Sequence, residues 1–325
     1  MKMIALCMNT PGMDEVQWMT HEYGKKYPGA GWMRCLPILF QGGIPRFVDG
    51  KNALHRGNDL GVQADQFIVI QEENNPYGQE LVRLGADPRV LICLESPIYA
   101  SSFYDKIPQY FKHRLLFGEG TEHVYFPSFD QEDLQKPVPW NDRKFLCMVM
   151  ANKHYKMLGD VPGESFKTAL KTQLHDYRYE AINYFFDKPG FDLYGKGWPS
   201  AEYWPLSREI IGDKLNTIRN YKFSLCFENG SYPGYATEKI IDCFASGVIP
   251  VYKGAPDVTK YIDPDLFIDA NQFKSFEAME DYLRHAASDP VFDSMSTYGQ
   301  KWLMSDAGQR FNNKQFAHHI LELCA

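Results

Sequence analysis

The segment 223–256 restricts the possible folds of this chain more than any other part of its sequence. Residues 223–227 and 248–252 are short apolar runs without charge, which are typical of strands covered on both faces. Between them a polar, glycine-rich loop leads to Thr237, a residue type that often begins helices, and apolar residues then follow at helical spacing as far as Gly247. This order of strand, helix and strand predicts a βαβ unit within a parallel sheet.

The start of this helix is the first candidate for a ligand site. In a βαβ unit the helix N-terminus lies at the carboxyl end of the first strand, where open α/β sheets bind ligands. Its free N–H groups favour an anion, and Lys239 adds a positive charge in the first turn. The pattern therefore predicts a phosphate-bearing ligand. A solvated lysine after an ordinary loop is the alternative that the spacing alone leaves open.

The run FENGSYPGYATEKIIDCFASGVIPVYKGAP closely resembles the donor-site signature of the α1,3/α1,4-fucosyltransferases, glycosyltransferase family 10. The resemblance implies a GDP-L-fucose donor, inversion at the anomeric centre and an α/β fold of GT-B type. In that fold two Rossmann-like domains with parallel sheets face each other across a cleft. The resemblance also implies that a set of residues holds the sugar, ribose and diphosphate of the donor. These residues are Asn229, Tyr235, Thr237, Glu238 and Lys239.

A second match lies far upstream, at the sequence Glu95-Ser96-Pro97. The residues before it read as a buried strand that presents a carboxylate at its end, and the proline then stops the strand. The family has its proposed general base at this place, so the resemblance implies that Glu95 is catalytic. A solvated loop glutamate is the alternative.

Three further residues match the family less closely. Asn152 ends a run that resembles the first strand of the family's donor domain. Lys196 stands where the family usually has an arginine, and a lysine neutralises a phosphate but lacks the bidentate fork of a guanidinium. Arg178 resembles a different residue of the family, its helix arginine, although the spacing of Arg178 to the following aromatic residue differs, and an exposed helix arginine is the alternative. We favour Lys196 over Arg178 as the second cation of the donor site.

The length of 325 residues predicts two domains. The proline-rich segment 135–142 is the expected linker, and the segment 167–186 beyond it is expected to be helical. We therefore expect an N-terminal acceptor-binding domain over residues 1–138, which carries the base, and a GDP-sugar donor domain over residues 139–305. Residues 306–325 are expected to form a helix that packs back across the domains.

Charge and cysteine usage narrow the class of protein. A net charge of −7 and a pI near 5.7 argue against nucleic acid as a partner. The apolar run at residues 3–8 is too short for a signal peptide or a membrane span, so we expect no integral membrane segment. The seven cysteines contain no CxxC pair and are interpreted as reduced core thiols of a cytoplasmic protein.

No metal and no cofactor beyond the donor substrate are expected. Asp263-Pro264-Asp265 has the outline of the DxD motif of metal-dependent glycosyltransferases, but an Asp-Pro turn is the better interpretation. His318 and His319 are adjacent on a predicted helix and point apart, so they make a poor shared site. Lys239, Lys196 and the helix N-terminus are expected to carry the charge of the leaving group instead.

Three hypotheses follow. The first is transfer of L-fucose from GDP-L-fucose to a hydroxyl of an oligosaccharide or glycan acceptor, with an N-acetylglucosamine or glucose unit as the family suggests. The second keeps the GT-B enzyme but changes the nucleotide sugar, because the loop 230–234 differs from common family versions. The third is a nucleotide-sugar binding pseudoenzyme, against which the intact Glu95 and Lys239 count.

Overall fold

The computed structural model of this chain describes residues 3–8, 31–36, 47–49, 51, 53–54, 63–118, 122–159, 161–198, 207–208 and 213–325. These residues form two compact units, each with its own parallel sheet. The first unit comprises the described residues of Met1–Pro127, Gly163–Phe166 and Asn312–Ala325. The second comprises those of Ser128–Pro162 and Lys167–Phe311.

Twelve strands are described. They are β1 (Met3–Cys7), β2 (Phe47–Asp49), β3 (Phe67–Glu72), β4 (Asp87–Ile92), β5 (His113–Leu116), β6 (Glu122–His123), β7 (Lys144–Val149), β8 (Phe191–Tyr194), β9 (Ser207–Arg208), β10 (Tyr221–Phe227), β11 (Ile249–Lys253) and β12 (Ile268–Asp269).

Ten α-helices are described. They are α1 (Pro76–Arg83), α2 (Ser101–Asp105), α3 (Glu164–Thr172), α4 (His175–Phe185), α5 (Lys214–Ile218), α6 (Glu238–Ser246), α7 (Phe276–Ala286), α8 (Pro290–Leu303), α9 (Asp306–Gln309) and α10 (Asn313–Cys324). Short 3-10 helices lie at Gly31–Cys35, Ala64–Gln66, Gln131–Asp133, Trp140–Asp142, Tyr155–Leu158, Val258–Lys260, Pro264–Leu266 and Ala270–Gln272.

The sheet of the first unit has the order β2-β1-β3-β4-β5-β6, and all of its strand pairs are parallel. Its central strands are apolar runs because helices and loops cover both faces. The C-terminal helix α10 belongs to this unit: Phe316 packs edge-on against the fully buried Trp32, with ring centroids 5.3 Å apart. The guanidinium of Arg89 on β4 donates to the Cys324 carbonyl oxygen at 3.0 Å.

The sheet of the second unit has the order β12-β11-β10-β7-β8-β9 and is also entirely parallel. The strand order reverses between β7 and β10, and the carboxyl ends of strands at such a point are where doubly wound sheets bind ligands. The predicted βαβ unit is β10-α6-β11, with Phe223 opposite Ile249. Gly247 ends α6 at φ 67°, a left-handed conformation that glycine adopts without strain.

The predicted α/β class with parallel sheets is confirmed, and the differences lie in element boundaries. The segment 167–186, expected to be helical, is divided between α3 and α4. The C-terminal tail is divided between α9 and α10, because Asn312 begins a new helix by accepting from the backbone N–H groups of Lys314 and Gln315. Trp140, which lies in the expected linker, is buried in the core of the second unit.

All seven cysteines are buried thiols outside disulfide bonds, as the sequence predicts. No helix in the described part of the chain combines the length and the apolar character that crossing a membrane requires.

Candidate active site

The central feature of the second unit is a buried carboxylate at the end of β10. Glu228 follows the last residue of that strand and is fully buried. Its backbone N–H donates to the carbonyl oxygen of Lys253 at 2.8 Å, which continues the pairing with β11. Gly254 is required next to it, because a Cβ there would lie 2.5 Å from Glu228 Cγ.

Glu228 holds the first turn of α6. Its Oε1 accepts from the backbone N–H of Thr237 at 2.8 Å, and the Thr237 hydroxyl lies 2.8 Å from its Oε2. Lys239 Nζ donates to Glu228 Oε2 and to Thr237 Oγ1, each at 2.9 Å. The three side chains therefore form one buried hydrogen-bonded group, and Lys239 has a fixed ammonium position.

The charges of this group favour an ionised lysine. Burial alone would lower the pKa of Lys239, but the carboxylates of Glu228 and Glu238 outweigh burial and raise it. Glu238 Oε1 lies 3.5 Å from Lys239 Nζ. Burial alone would also raise the pKa of Glu238, but Lys239 and Lys214 outweigh burial and lower it. Lys239 is thus a cation and Glu238 an anion at neutral pH.

Thr237 begins α6, as the sequence predicts, but its side chain does not cap the helix. The hydroxyl is turned toward Glu228 instead of the amides of the first turn. A side-chain cap would satisfy one of the N–H groups at the helix start. The first turn of α6 therefore keeps that hydrogen-bonding capacity for another acceptor, and the dipole of the helix favours an anionic one.

A second hydrogen-bonded chain joins Arg178 on α4 to the loop after β10. The guanidinium of Arg178 donates to Asn229 Oδ1 at 2.6 Å, and Asn229 Nδ2 donates to the Tyr235 hydroxyl at 3.3 Å. Arg178 is buried, and its positive charge acts against the protonated state of Lys239. The two cations therefore lie near each other at the carboxyl end of β10.

The loop after β10 also explains why the segment 167–186 forms two helices, α3 and α4, instead of one. The backbone N–H of Leu174 donates to the Asn229 carbonyl oxygen at 3.0 Å, and Ser231 N–H donates to the Thr172 carbonyl oxygen at 2.7 Å. Gln173 forms an antiparallel bridge with Gly230. The residues between α3 and α4 thus pair with the loop rather than with their own helix. This pairing positions the start of α4 and, with it, Arg178.

Asn152 and Lys196 form a separate group at the carboxyl ends of β7 and β8. The backbone N–H of Asn152 donates to the Lys196 carbonyl oxygen, and its side-chain Nδ2 donates to the Gly197 carbonyl oxygen, both at 2.8 Å. Tyr179 on α4 donates its hydroxyl to Asn152 Oδ1. The backbone of Lys196 is therefore fixed, while its side chain is exposed.

Two histidines lie close together near these groups. His154 precedes the 3-10 helix Tyr155–Leu158, and His175 is the first residue of α4. His154 Nε2 lies 3.0 Å from Asp176 Oδ1, and the ring of His154 is 5.7 Å from the ring of His175. Burial, together with the charges of Arg178 and His154, lowers the pKa of His175 to about 3. His175 is therefore a neutral imidazole, and it directly follows Leu174, whose backbone N–H donates to the loop after β10.

Glu95 lies in the first unit, after β4, as the sequence predicts. It is half-buried, and its Oε1 accepts from the backbone N–H of Ser96 at 2.7 Å and from the Ser96 hydroxyl at 3.2 Å. The Glu95 carbonyl oxygen accepts from the Tyr104 hydroxyl at 3.3 Å. These contacts fix both the backbone and one carboxylate oxygen.

The segment with the outline of a DxD motif is a turn, as the sequence predicts. Asp263 Oδ1 accepts from the backbone N–H of Asp265 at 3.0 Å, and Pro264–Leu266 is a short 3-10 helix. Within the described ranges, no group of three or more histidine, cysteine, aspartate or glutamate side chains has a geometry that could hold a metal ion.

The structure groups the predicted donor residues in two sets. The first set lies around the start of α6 and consists of Arg178, Asn229, Tyr235, Thr237, Glu238 and Lys239. The second consists of Asn152 and Lys196. Sequence reasoning missed Glu228, although a charged residue that directly follows an apolar strand is a recognisable signal. It also missed Glu73, which follows β3 in the same way.

Comparison with known proteins gives a family match over part of the chain. Residues 168–324 match the model of "Glycosyltransferase family 10 (fucosyltransferase) C-term". The matched range contains α4, β10, the loop after β10 and α6.

Curated relatives match over shorter ranges. An alpha-(1,3)-fucosyltransferase of Helicobacter pylori is 43% identical over 75 residues, which is 23% of this chain and 16% of that protein. The 4-galactosyl-N-acetylglucosaminide 3-alpha-L-fucosyltransferase 9 of Mus musculus is 36% identical over 80 residues, 23% of this chain and 22% of that protein. The chain therefore matches less than a quarter of the length of either relative.

A solved structure is similar over nearly the whole chain. The crystal structure of an alpha1,3-fucosyltransferase with GDP-fucose has a TM-score of 0.54 and 18% sequence identity. The match covers 99% of this chain and 90% of that one. At this level of identity the likeness concerns the fold, and it agrees with the predicted α/β architecture of GT-B type.

Proposed function

We propose that the chain, whose residues 168–324 match glycosyltransferase family 10, is a member of that family and transfers L-fucose from GDP-L-fucose to a hydroxyl of a saccharide. The observation that supports the proposal most strongly is the arrangement of charged residues around the N-terminus of α6. Lys239 is held by Glu228, Arg178 lies nearby, and the helix N-terminus has no side-chain cap. Two cations, together with helix N–H groups that the N-cap side chain does not bind, suit a diphosphate.

The donor-binding roles follow from the first set of residues. Lys239 and Arg178 contact the diphosphate, and the first-turn N–H groups of α6 donate to its oxygens. Asn229 and Tyr235, joined by a hydrogen bond, form the wall of the sugar and ribose pocket. Glu238 is a carboxylate in the first turn, and a negative charge there stabilises the positive charge that develops on the sugar. Lys196 and Asn152 bind at the outer part of the same donor.

The reaction is a single displacement with inversion. The acceptor hydroxyl gives its proton to the Glu95 carboxylate, and its oxygen bonds to C1 of fucose. The bond between C1 and the β-phosphate oxygen breaks, and the electron pair leaves on GDP. The charge of the departing diphosphate is stabilised by Lys239 and Arg178. No metal ion is needed for this step.

The acceptor is proposed from the relatives. The name of one of them, the fucosyltransferase 9 of Mus musculus, specifies a 4-galactosyl-N-acetylglucosaminide as its acceptor. N-acetyllactosamine is therefore the first probe to use, within a wider panel of glycans that contain N-acetylglucosamine or glucose.

A panel of nucleotide sugars tests the proposal. We expect acceptor-dependent GDP release with GDP-L-fucose and little with GDP-mannose, UDP-glucose or UDP-N-acetylglucosamine. Release with only a donor other than GDP-L-fucose would favour the second hypothesis. Stabilisation by GDP without release from any donor would favour a binding protein. Activity in EDTA should equal activity without it, and a loss that Mn²⁺ restores would contradict the metal-free step.

A further inference from the structure

Two glutamates of the first unit follow the carboxyl ends of neighbouring strands. Glu73 directly follows β3, and Glu95 follows β4, the neighbouring parallel strand. The pairing of the strands continues one step further, because the backbone N–H of Glu73 donates to the Ile92 carbonyl oxygen at 3.0 Å. Since parallel strands end together, Glu73 lies beside the residues that precede Glu95.

The backbone of Glu73 is strained. Its φ is 46°, and among the residues that the structure describes it is the one non-glycine residue with positive φ. L-residues with a Cβ rarely adopt this conformation, and it persists where the surrounding structure imposes it. Strain of this kind is concentrated at functional sites, so Glu73 is a candidate for a role beyond folding.

The side chain of Glu73 is turned toward the end of β4. Its Oε1 lies 3.8 Å from the thiol of Cys93, which is fully buried. The same thiol lies 3.6 Å from the Glu95 carbonyl oxygen, which also accepts from the Tyr104 hydroxyl. One buried thiol thus connects the two strand ends.

The charged and titratable groups that face Glu73 are Glu72 on its own strand, Glu95 and Cys93 after β4, and Tyr104 on α2. Burial, followed by the negative charges of Glu72 and Glu95, raises the pKa of Glu73 to about 7. Burial also raises the pKa of Cys93 and of Tyr104, so both stay neutral. The ionisation of Glu73 therefore changes near neutral pH, whereas Cys93 and Tyr104 stay neutral there.

We propose that Glu73 is a second carboxyl of the acceptor-activating site, a positioning residue that acts through Glu95 by setting how strongly that carboxylate takes the acceptor proton. The proposal rests on the proposed function. When Glu73 is protonated, it adds no charge beside Glu95. When it is ionised, the like charge makes Glu95 a stronger base, because proton uptake relieves the repulsion. Transfer should therefore become faster as the pH rises through 7.

The titration of Glu73 can be measured without any activity. The folded protein keeps the Glu73 proton up to about pH 7, because its pKa is raised to about 7, whereas the unfolded chain loses it near the ordinary glutamate pKa of 4.5. The native state therefore binds more protons between these values, and wild type loses stability there as the pH rises. Glu73→Gln, which cannot titrate, should lack this loss, so its melting temperature should rise relative to wild type from pH 5 to pH 7.5.

Glu80→Gln is the matched control for this measurement, because Glu80 is on α1 of the same unit and pairs with Arg83 at the surface. Its difference from wild type should stay constant over the same range. A constant difference for Glu73→Gln as well would overturn the proposal.

The kinetic test uses kcat/KM for transfer from GDP-L-fucose to N-acetyllactosamine, or to the best acceptor of the glycan panel. Wild type should rise several-fold between pH 6 and pH 8, Glu73→Gln should lose that rise, and Glu73→Asp should restore part of it. A purely structural role would lower the rate of Glu73→Gln equally at every pH, and that result would overturn the proposal. If wild type transfers fucose to no acceptor, the proposed function is wrong, and the proposed role of Glu73 in acceptor activation is wrong as well. This outcome differs from a failure of the inference alone, because the melting temperature of Glu73→Gln relative to wild type would still rise with pH.

Discussion

Lys239 Nζ lies 2.9 Å from Glu228 Oε2, and the carboxyl group of Glu228 is fully buried. A buried charge that loses its partner is strongly destabilising. Glu228→Gln should therefore lower the free energy of unfolding by about 3 kcal/mol. It should also weaken GDP binding, because the ammonium of Lys239 loses the group that fixes its position. Urea denaturation and calorimetric titration with GDP measure the two effects.

Asp242→Asn is the matched control for Glu228→Gln. Asp242 lies on the same helix α6, where its Oδ2 is 2.5 Å from Lys214 Nζ in a second ion pair. This variant should lose stability and keep its affinity for GDP. If Glu228→Gln behaves in the same way, with unchanged GDP affinity, the role of Glu228 is confined to folding.

Lys239→Ala should weaken GDP binding by about 1–3 kcal/mol, the size of a hydrogen bond to a charged group. Lys196→Ala should weaken it less, because the Lys196 side chain is exposed and the hydrogen bonds around it involve its backbone. Calorimetry with GDP on both variants gives the comparison. Equal affinity of Lys239→Ala and wild type would show that the start of α6 is not the phosphate site.

Glu95→Gln should reduce turnover by at least ~100-fold, the usual size of a general-base effect. Its GDP affinity should equal that of wild type, because the proposed donor residues lie in the other unit. The decisive quantities are kcat from steady-state kinetics and the dissociation constant for GDP. Unchanged turnover would remove Glu95 from the mechanism.

The buried His175 should make the protein sensitive to acid. Its pKa is about 3 in the folded protein and near 6.5 in the unfolded chain. Between these values the unfolded chain binds more protons, so stability is complete above pH 6.5 and falls as the pH is lowered. From pH 7 to pH 5 the loss should be about 2 kcal/mol.

Denaturation of His175→Gln at both pH values isolates this contribution. The variant should lose less stability than wild type on acidification, whereas His318→Gln, which changes an exposed histidine, should follow wild type. The same acid sensitivity in wild type and His175→Gln would refute the assignment of a neutral His175.

The elements that the sequence predicts well are those with continuous apolar runs. The strands β10 and β11 and the helix α6 follow directly from such runs and from the glycine that ends the helix. The break between α3 and α4 could not be predicted, because it depends on hydrogen bonds between residues 172–174 and a loop more than fifty positions away.

The sequence predicts only part of the candidate site, because it shows which residues are neighbours in the chain but not which distant residues are in contact. Thr237, Glu238 and Lys239 are consecutive in the sequence, so the resemblance identifies them together. The sequence favours Lys196 over Arg178, because the spacing of Arg178 to the following aromatic residue differs from that of the family. Only the structure shows that Arg178 reaches Asn229. Glu228 stands next to Asn229, but only the structure shows that it is buried and that Thr237 and Lys239 both bind it.

The central claim is most directly tested by the product of a reaction with GDP-L-fucose and N-acetyllactosamine. After acceptor-dependent release of GDP has been detected, proton NMR of the purified trisaccharide gives the configuration of the new anomeric centre. Because the donor is β-linked, the proposed single displacement predicts an α-linked fucose on the saccharide. A β-linked fucose would contradict inversion, and the absence of any fucosylated product across the whole glycan panel would contradict the assignment as a fucosyltransferase.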